Sequence, residues 1–163
     1  MLILSSCGFH LRGISQVNHR FQSIAVEVNS NNEGLKPFLE SVLASYAIPI
    51  ASLPSQAEYT IVIEKESFQR QITNVSASTT PRQYLLIYTV DFSVHDKKGV
   101  TALSLAHINV IRQFTLNNDR ILGSNYEEML FKKEMEQEAA NQILFRLNNI
   151  ATVAQGKKTH HAT

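Results

Sequence analysis

The sequence is poor in the residues that most often carry recognisable chemistry. It has one cysteine and no tryptophan, and its 15 lysines and arginines nearly balance its 14 acids. A single cysteine excludes an intramolecular disulfide and a cysteine-rich zinc site. The even charge gives no broad surface for wrapping nucleic acid. No G-x-S-x-G, G-x-x-x-x-G-K-[ST] or H-E-x-x-H motif is present either, so the sequence predicts no enzyme, no cofactor and no nucleic-acid partner.

Long apolar runs are also missing. No run after Cys7 approaches the roughly 20 residues that a transmembrane helix needs, and 163 residues suit one domain with its own core. Contact with a membrane is therefore expected at the N-terminus only.

The lone cysteine stands in an informative place. Cys7 follows an apolar stretch and two serines, MLILSS, a pattern similar to the lipobox of bacterial lipoprotein signal peptides. A buried free thiol is the alternative. We interpret 1–6 as a remnant of a signal peptide and Cys7 as the lipidation site, where two or more acyl chains give a stable membrane anchor. Gly8 favours the outer membrane over the inner one.

Alternating apolar residues predict four strands. The clearest alternation is Ile24, Val26 and Val28, within a strand over 22–28. Further strands are predicted over 58–70, 83–95 and 100–115, the last two joined by a hairpin turn at 96–99. The small polar residues of 73–81 predict a mobile loop.

Two other segments repeat their apolar residues with a helical period. The first helix covers 35–47, and its stripe consists of Leu35, Phe38, Leu39, Val42, Leu43 and Tyr46. The second runs from about 124 to 150, with a stripe of Phe131, Met135, Ala139, Ala140, Ile143, Leu144, Leu147 and Ile150. Its acids are interpreted as a solvated face, namely Glu127, Glu128, Glu134, Glu136 and Glu138.

This order of elements predicts an α/β (α+β) fold. Two amphipathic helices need a common apolar surface, which a four-stranded mixed sheet offers on one face, in the order β-α-β-β-β-α. We expect a tether over 7–20, one domain over 21–152 and a disordered tail over 153–163.

Three pairs of basic residues are considered for an anion site. Arg70 and Arg82 flank the polar loop, Lys97 and Lys98 lie in the hairpin turn, and Lys132 and Lys133 lie on the last helix. Each alone is typical of a surface, but if they converge they can bind phosphates through charge-assisted hydrogen bonds. His95 and His107 are expected to meet across the hairpin as a hydrogen-bonded pair without a third metal ligand.

Three segments carry a family resemblance. They are 7–12 (CGFHLR), 83–90 (QYLLIYTV), and the run from Lys133-Glu134-Met135 to Ala139, Ala140 and Gln142. Through them the chain resembles the LptE family of lipopolysaccharide-assembly lipoproteins. The resemblance implies two helices on a four-stranded sheet, a position inside the LptD β-barrel of the outer membrane, help in assembling that barrel, and binding of lipopolysaccharide without catalysis.

The resemblance also implies site residues. Lys133 matches the family's lipopolysaccharide-contacting lysine in the last helix. The family's basic loop residue aligns near Ala77, so Arg82 or Arg70 is the candidate in its place, and Lys132 beside Lys133 completes the set. The alternatives are a pilotin-like lipoprotein that escorts a secretin, a lipid-anchored periplasmic enzyme, and a domain that only spaces the anchor from a partner.

Overall fold

The computed structural model describes the backbone of residues 21–29, 33–74, 82–116 and 121–159, and the side chains of 21–29, 33–73, 83–115 and 126–150. Within these ranges the elements follow in the predicted order. They are β1 (Ile24–Val28), α1 (Leu35–Ser45), a 3₁₀ turn (Pro54–Gln56), β2 (Tyr59–Asn74), β3 (Arg82–Asp96), β4 (Thr101–Leu116) and α2 (Ile121–Thr159).

The four strands form one mixed sheet in the order β1-β2-β3-β4. β1 runs parallel to β2, with Ile24 opposite Tyr59, and the other two pairs are antiparallel. Parallel neighbours need a crossover connection, and α1 lies in it. The predicted fold class, two helices with a four-stranded mixed sheet in the order β-α-β-β-β-α, is confirmed.

The hairpin between β3 and β4 depends on one aspartate and one glycine. The Asp96 carboxylate accepts hydrogen bonds from the backbone N–H groups of Lys98 and Val100, each 2.8 Å long. Gly99 has a φ of 76°, in the left-handed region that favours glycine. The turn therefore forms where the sequence predicts it.

A register shift in β2 changes which of its residues face the helices. Before it, Ile61 and Ile63 face inward, opposite Val94 and Phe92. The shift lies between Ile63 and Lys65, as in a β-bulge, where one strand gains a residue over its partner. After it the even-numbered residues face the helices, and they are Glu66, Phe68 and Arg70, paired with Val90, Tyr88 and Leu86.

Both helices pack on this inner face through the predicted stripes. In α1 the buried residues are Leu35, Leu39, Val42 and Leu43. In α2 the buried apolar residues are Met135, Ala139, Ala140, Ile143, Leu144 and Leu147, with Phe131 and Ile150 at the margin of the core. Full burial of one large aliphatic side chain contributes about 1.5–3 kcal/mol, so these stripes hold the helices on the sheet.

The first turn of α1 is completed by a side chain from β2. Gly34 at the N-cap offers no side-chain oxygen to the free N–H groups of the first turn. The backbone N–H of buried Leu35 instead donates to Glu66 Oε2 over 3.2 Å. Glu66 therefore connects β2 to the beginning of α1.

The last helix is longer than the sequence predicts. It spans Ile121–Thr159 rather than 124–150, so the backbone is helical through Thr159, where a disordered tail is expected after 152. An apolar stripe marks only the part of a helix that packs against a neighbour, and the helix can continue beyond it. The signal-peptide remnant 1–6, the tether 7–20 with Cys7, loop residues 75–81 and residues 160–163 lie outside the described residues.

Candidate anion-binding site

A shallow cleft of about 340 Å³ opens between β2 and the N-terminal half of α2. Phe68 and Arg70 line it from the strand, and Glu128, Met129 and Lys132 line it from the helix. The register shift in β2 brings Phe68 and Arg70 to the side of the sheet on which the helix lies. The cleft combines two cations with an aromatic ring and a thioether, which suits an amphipathic anion.

Arg70 is held in the cleft by two neighbours. Its Nη1 donates to Glu128 Oε2 over 2.7 Å, and its guanidinium carbon lies 5.1 Å from the centre of the Tyr84 ring. A guanidinium over an aromatic face is attracted by the negative face of the ring. Arg70 is therefore oriented while its side chain stays about half exposed.

Lys132 has an equivalent pair of contacts. Its Nζ lies 3.6 Å from Glu136 Oε1, one helical turn further along α2, and 5.8 Å from the centre of the Phe68 ring. The stem of the lysine thus follows an apolar surface while its ammonium group reaches the opening.

Each of these cations already has a carboxylate partner, so the four charges of the cleft sum to zero. An incoming phosphate must therefore share or replace Glu128 and Glu136. Lys133, the next residue on α2, is exposed and forms no ion pair with any side chain that the structure describes. It can contact an anion without such competition.

The partner of Lys132 is a buried acid. Glu136 is 4% exposed, and Glu66 on the adjoining strand is 8% exposed. Burial raises the pKa of Glu136, the Lys132 ammonium opposes that rise, and the Glu66 carboxylate adds to it. Burial, followed by the Glu66 carboxylate, also raises the pKa of the Tyr88 hydroxyl.

The structure brings together only some of the predicted site residues. Arg70 and Lys132 line the same cleft, and Lys133 follows Lys132 on α2 but is not among the lining residues. Arg82 begins β3 opposite Leu116, but its side chain is outside those described, as is the whole of Cys7. For these two residues the expected roles stay predictions.

The sequence pattern did not predict the roles of the acids in this site. Glu136 is buried, so the interpretation of all the α2 glutamates as a solvated face is wrong for this residue. Glu128 forms an ion pair with Arg70, and Glu138 forms one with Arg112 of β4. A signal was available, because Glu136 lies four residues before Ala140 and eight before Leu144, on the stripe that these two broaden.

The expected pairing of His95 with His107 is also wrong. His107 lies opposite Asp91 and contacts its carboxylate at 2.6 Å, while His95 is hydrogen-bonded with Ser93 at 3.1 Å. Within the described residues no three His, Cys, Asp or Glu side chains lie close enough to hold a metal ion. None of the helices described has an apolar stretch of the length that a membrane span requires.

Comparison with known protein families shows which family this chain belongs to. The model of the LptE family, described as lipopolysaccharide-assembly, matches residues 15–147. The chain belongs to the LptE family. The match includes all four strands, α1 and α2 as far as Leu147, and it confirms the resemblance that the sequence motifs indicate.

A curated relative agrees with this LptE assignment. The LPS-assembly lipoprotein LptE of Pectobacterium atrosepticum is 23% identical over 152 residues, which cover 92% of this chain and 81% of the relative. Sequence similarity therefore extends over nearly the whole chain rather than over one motif.

Solved structures share the LptE-like fold. An uncharacterized lipoprotein B from Nitrosomonas europaea matches with a TM-score of 0.73 and 24% identity, covering 94% of this chain and 97% of that one. A rare lipoprotein B from Shewanella oneidensis matches with a TM-score of 0.69 and 18% identity, covering 82% and 98%. At these identities the two structures support the fold alone.

Proposed function

We propose that this chain is an outer-membrane lipoprotein, anchored by acyl chains on Cys7, that binds lipopolysaccharide during its transport and acts without catalysis. Membership of the LptE family supports the general role. The observation that carries lipopolysaccharide binding is the cleft of Phe68, Arg70, Met129 and Lys132, with the exposed Lys133 next to Lys132 on α2. Phosphate groups need such cations, and exposed apolar side chains next to them suit acyl chains.

Apolar residues do lie next to the cations. Met129 and Leu130 are each nearly half exposed on α2, and Tyr126 is more exposed still, one turn earlier. A purely polar anion would gain nothing from these side chains, whereas an amphipathic phospholipid would bury them. Lipid A phosphates at Arg70, Lys132 and Lys133 are therefore the proposed contact.

Charge removal tests this site. We expect Arg70→Ala combined with Lys133→Ala to weaken lipopolysaccharide binding by roughly tenfold or more at moderate salt, because each charge-assisted hydrogen bond contributes about 1.5–3 kcal/mol. The matched control is Lys97→Ala with Lys98→Ala, which removes two exposed charges from the β3–β4 turn. Adding Arg82→Ala tests the cation that the sequence offers on the other side of the polar loop. Equal binding by the cleft variant and the turn variant would contradict the proposal.

We also propose that the domain sits inside the LptD barrel and assists its assembly. The support is the sheet face opposite the helices, defined here as the outer face by residues that are partly or fully exposed within the part of the chain that the structure describes. They are Ser67, Gln69, Leu85, Ile87, Asn109 and Ile111. Co-expression of the full-length lipoprotein with LptD should yield a one-to-one complex. Recovery of a secretin instead would favour a pilotin-like role and contradict this proposal.

A further inference from the structure

The two carboxylates that neutralise the cleft differ in their access to solvent. The Glu128 side chain is 21% exposed, and that of Glu136 is 5% exposed. An exposed carboxylate can turn towards water when an anion takes its partner, whereas a buried one cannot be left unpaired without a large cost. Arg70 and Lys132 are therefore not equivalent as anion ligands.

Glu136 is surrounded by charged and titratable groups from several elements. Glu66 reaches it from β2 and Tyr88 from β3, while Lys132 and Lys133 act on it from its own helix. The N-terminus of α1 is held by Glu66 through the Leu35 N–H, and Arg112 of β4 is engaged by Glu138. Lys132 is thus the nearby cation that stabilises the ionised form of Glu136.

We propose that Glu136 is a proton-controlled regulator of the cleft, holding Lys132 when ionised and releasing it to a tetrahedral oxyanion when protonated. This inference rests on the proposed anion-binding role of the cleft. In the ionised state the four charges cancel, and in the protonated state the cleft carries one net positive charge. Binding of an anion at Lys132 is then coupled to the uptake of one proton by Glu136.

The direction and size of the effect follow from this coupling. Burial and Glu66 raise the pKa of Glu136, so the proton is taken up above the ordinary range of a glutamate. Anion affinity should rise as pH falls through that titration, by at most about tenfold per pH unit for a single coupled proton. Coupling is reciprocal, so a bound anion must raise the pKa of Glu136 further.

The test uses oxyanions whose own charge is constant between pH 5 and pH 8. One arm titrates inorganic sulfate and follows the Lys132 resonances by NMR, and the other measures binding to phosphatidylcholine vesicles that contain a sulfated galactolipid. Binding of free sulfate shows that the oxyanion alone suffices. Binding in the vesicle arm only shows that the ligand must be a lipid headgroup.

Two variants separate the coupling from a general charge effect. Glu136→Gln should bind equally at all pH values, with the affinity that the native protein shows in acid. Glu134→Gln removes the same charge from an exposed position on the same helix, and it should keep the native pH dependence. Thermal unfolding of both variants confirms that they are folded.

The outcomes distinguish the two proposals. If the native protein binds with no pH dependence, or if Glu136→Gln keeps the native dependence, the regulatory role of Glu136 is overturned and the anion site stands. If none of the proteins binds either probe at any pH, both proposals fall. A ¹³C titration of the Glu136 carboxyl adds an independent check, because sulfate must raise its measured pKa.

Discussion

At the scale of single residues, the main conflict in this structure is between the charge of Glu136 and the burial of its side chain. The Glu136 residue is 4% exposed, and burial favours the neutral form of a carboxyl. Its pKa is raised because burial and Glu66 together outweigh the attraction of Lys132. The ion pair therefore reduces the cost of burying the acid without removing it.

This conflict predicts the stability of Glu136→Gln. A carboxyl whose pKa is raised on folding binds its proton more tightly in the folded state. The contribution of this proton to the free energy of unfolding is therefore complete below the unfolded pKa of 4.5 and is lost as pH rises through the folded pKa. Glutamine does not titrate. In urea unfolding, the free energy of unfolding of Glu136→Gln should therefore increase relative to that of the native protein as pH rises from 4.5 through the folded pKa of Glu136.

The control for this measurement is Glu134→Gln, because that acid is exposed. Its difference from the native protein should stay within about 0.5 kcal/mol at every pH, as for most surface substitutions. A constant difference between Glu136→Gln and the native protein from pH 4 to pH 8 would contradict the argument.

Element by element, the sequence predicts strands and helices well because each has a face that water does not reach. The α1 stripe, the alternation of β3 and the 96–99 turn all follow from local patterns. The register shift after Ile63 does not follow from a local pattern. Once one residue is inserted, the inward-facing side chains change from odd-numbered to even-numbered positions, and the alternation alone fits either assignment. For this reason Glu66 and Arg70 could not be assigned to the inner face beforehand.

The candidate site shows the same limit. The cations could be named from the sequence, and Lys133 from its family resemblance, but their partners come from other elements. Arg70 meets Glu128 across 58 positions of the chain, and Leu35 meets Glu66 across 31. His107 meets Asp91 rather than His95 because the hairpin register places those two residues opposite each other. Strand register depends on pairing throughout the sheet, so it cannot be deduced from a local sequence pattern.

The contact between β2 and α1 predicts a local effect on the helix. Glu66→Ala removes the acceptor of the buried Leu35 N–H, which should cost about 1–3 kcal/mol of unfolding free energy. Hydrogen exchange should be accelerated most at the Leu35 amide. Glu66→Gln keeps an acceptor and removes the repulsion with Glu136, so exchange at Leu35 should remain close to native. Equal acceleration in both variants would show that charge, rather than the hydrogen bond, fixes this turn.

For the whole molecule, the helix side and the outer face carry the two proposed tasks. The helix side holds the core and the cleft of Arg70 and Lys132, and the described residues that define the outer face are partly or fully exposed. On that face Ile87 and Ile111 lie opposite each other among glutamine, asparagine and serine side chains, and Ile111 is 47% exposed. An apolar pair with a polar surround is typical of a protein interface, whose centre is apolar and whose rim is polar.

This arrangement predicts that Ile111→Lys separates folding from assembly. Losing the cross-strand pair with Ile87 should cost only about 0.2–1 kcal/mol of unfolding free energy. Burial of an unpaired lysine at the interface should reduce recovery of the proposed LptD complex at least tenfold, because an uncompensated charge costs several kcal/mol. The matched control is Leu53→Lys, since Leu53 is 54% exposed and lies before the 3₁₀ turn rather than on a strand of the sheet. The charge itself is identical in the two variants, so only its position can separate their yields. If both variants recovered the complex at native yield, the outer face would not be the surface that contacts the barrel, and the helix side would have to supply it.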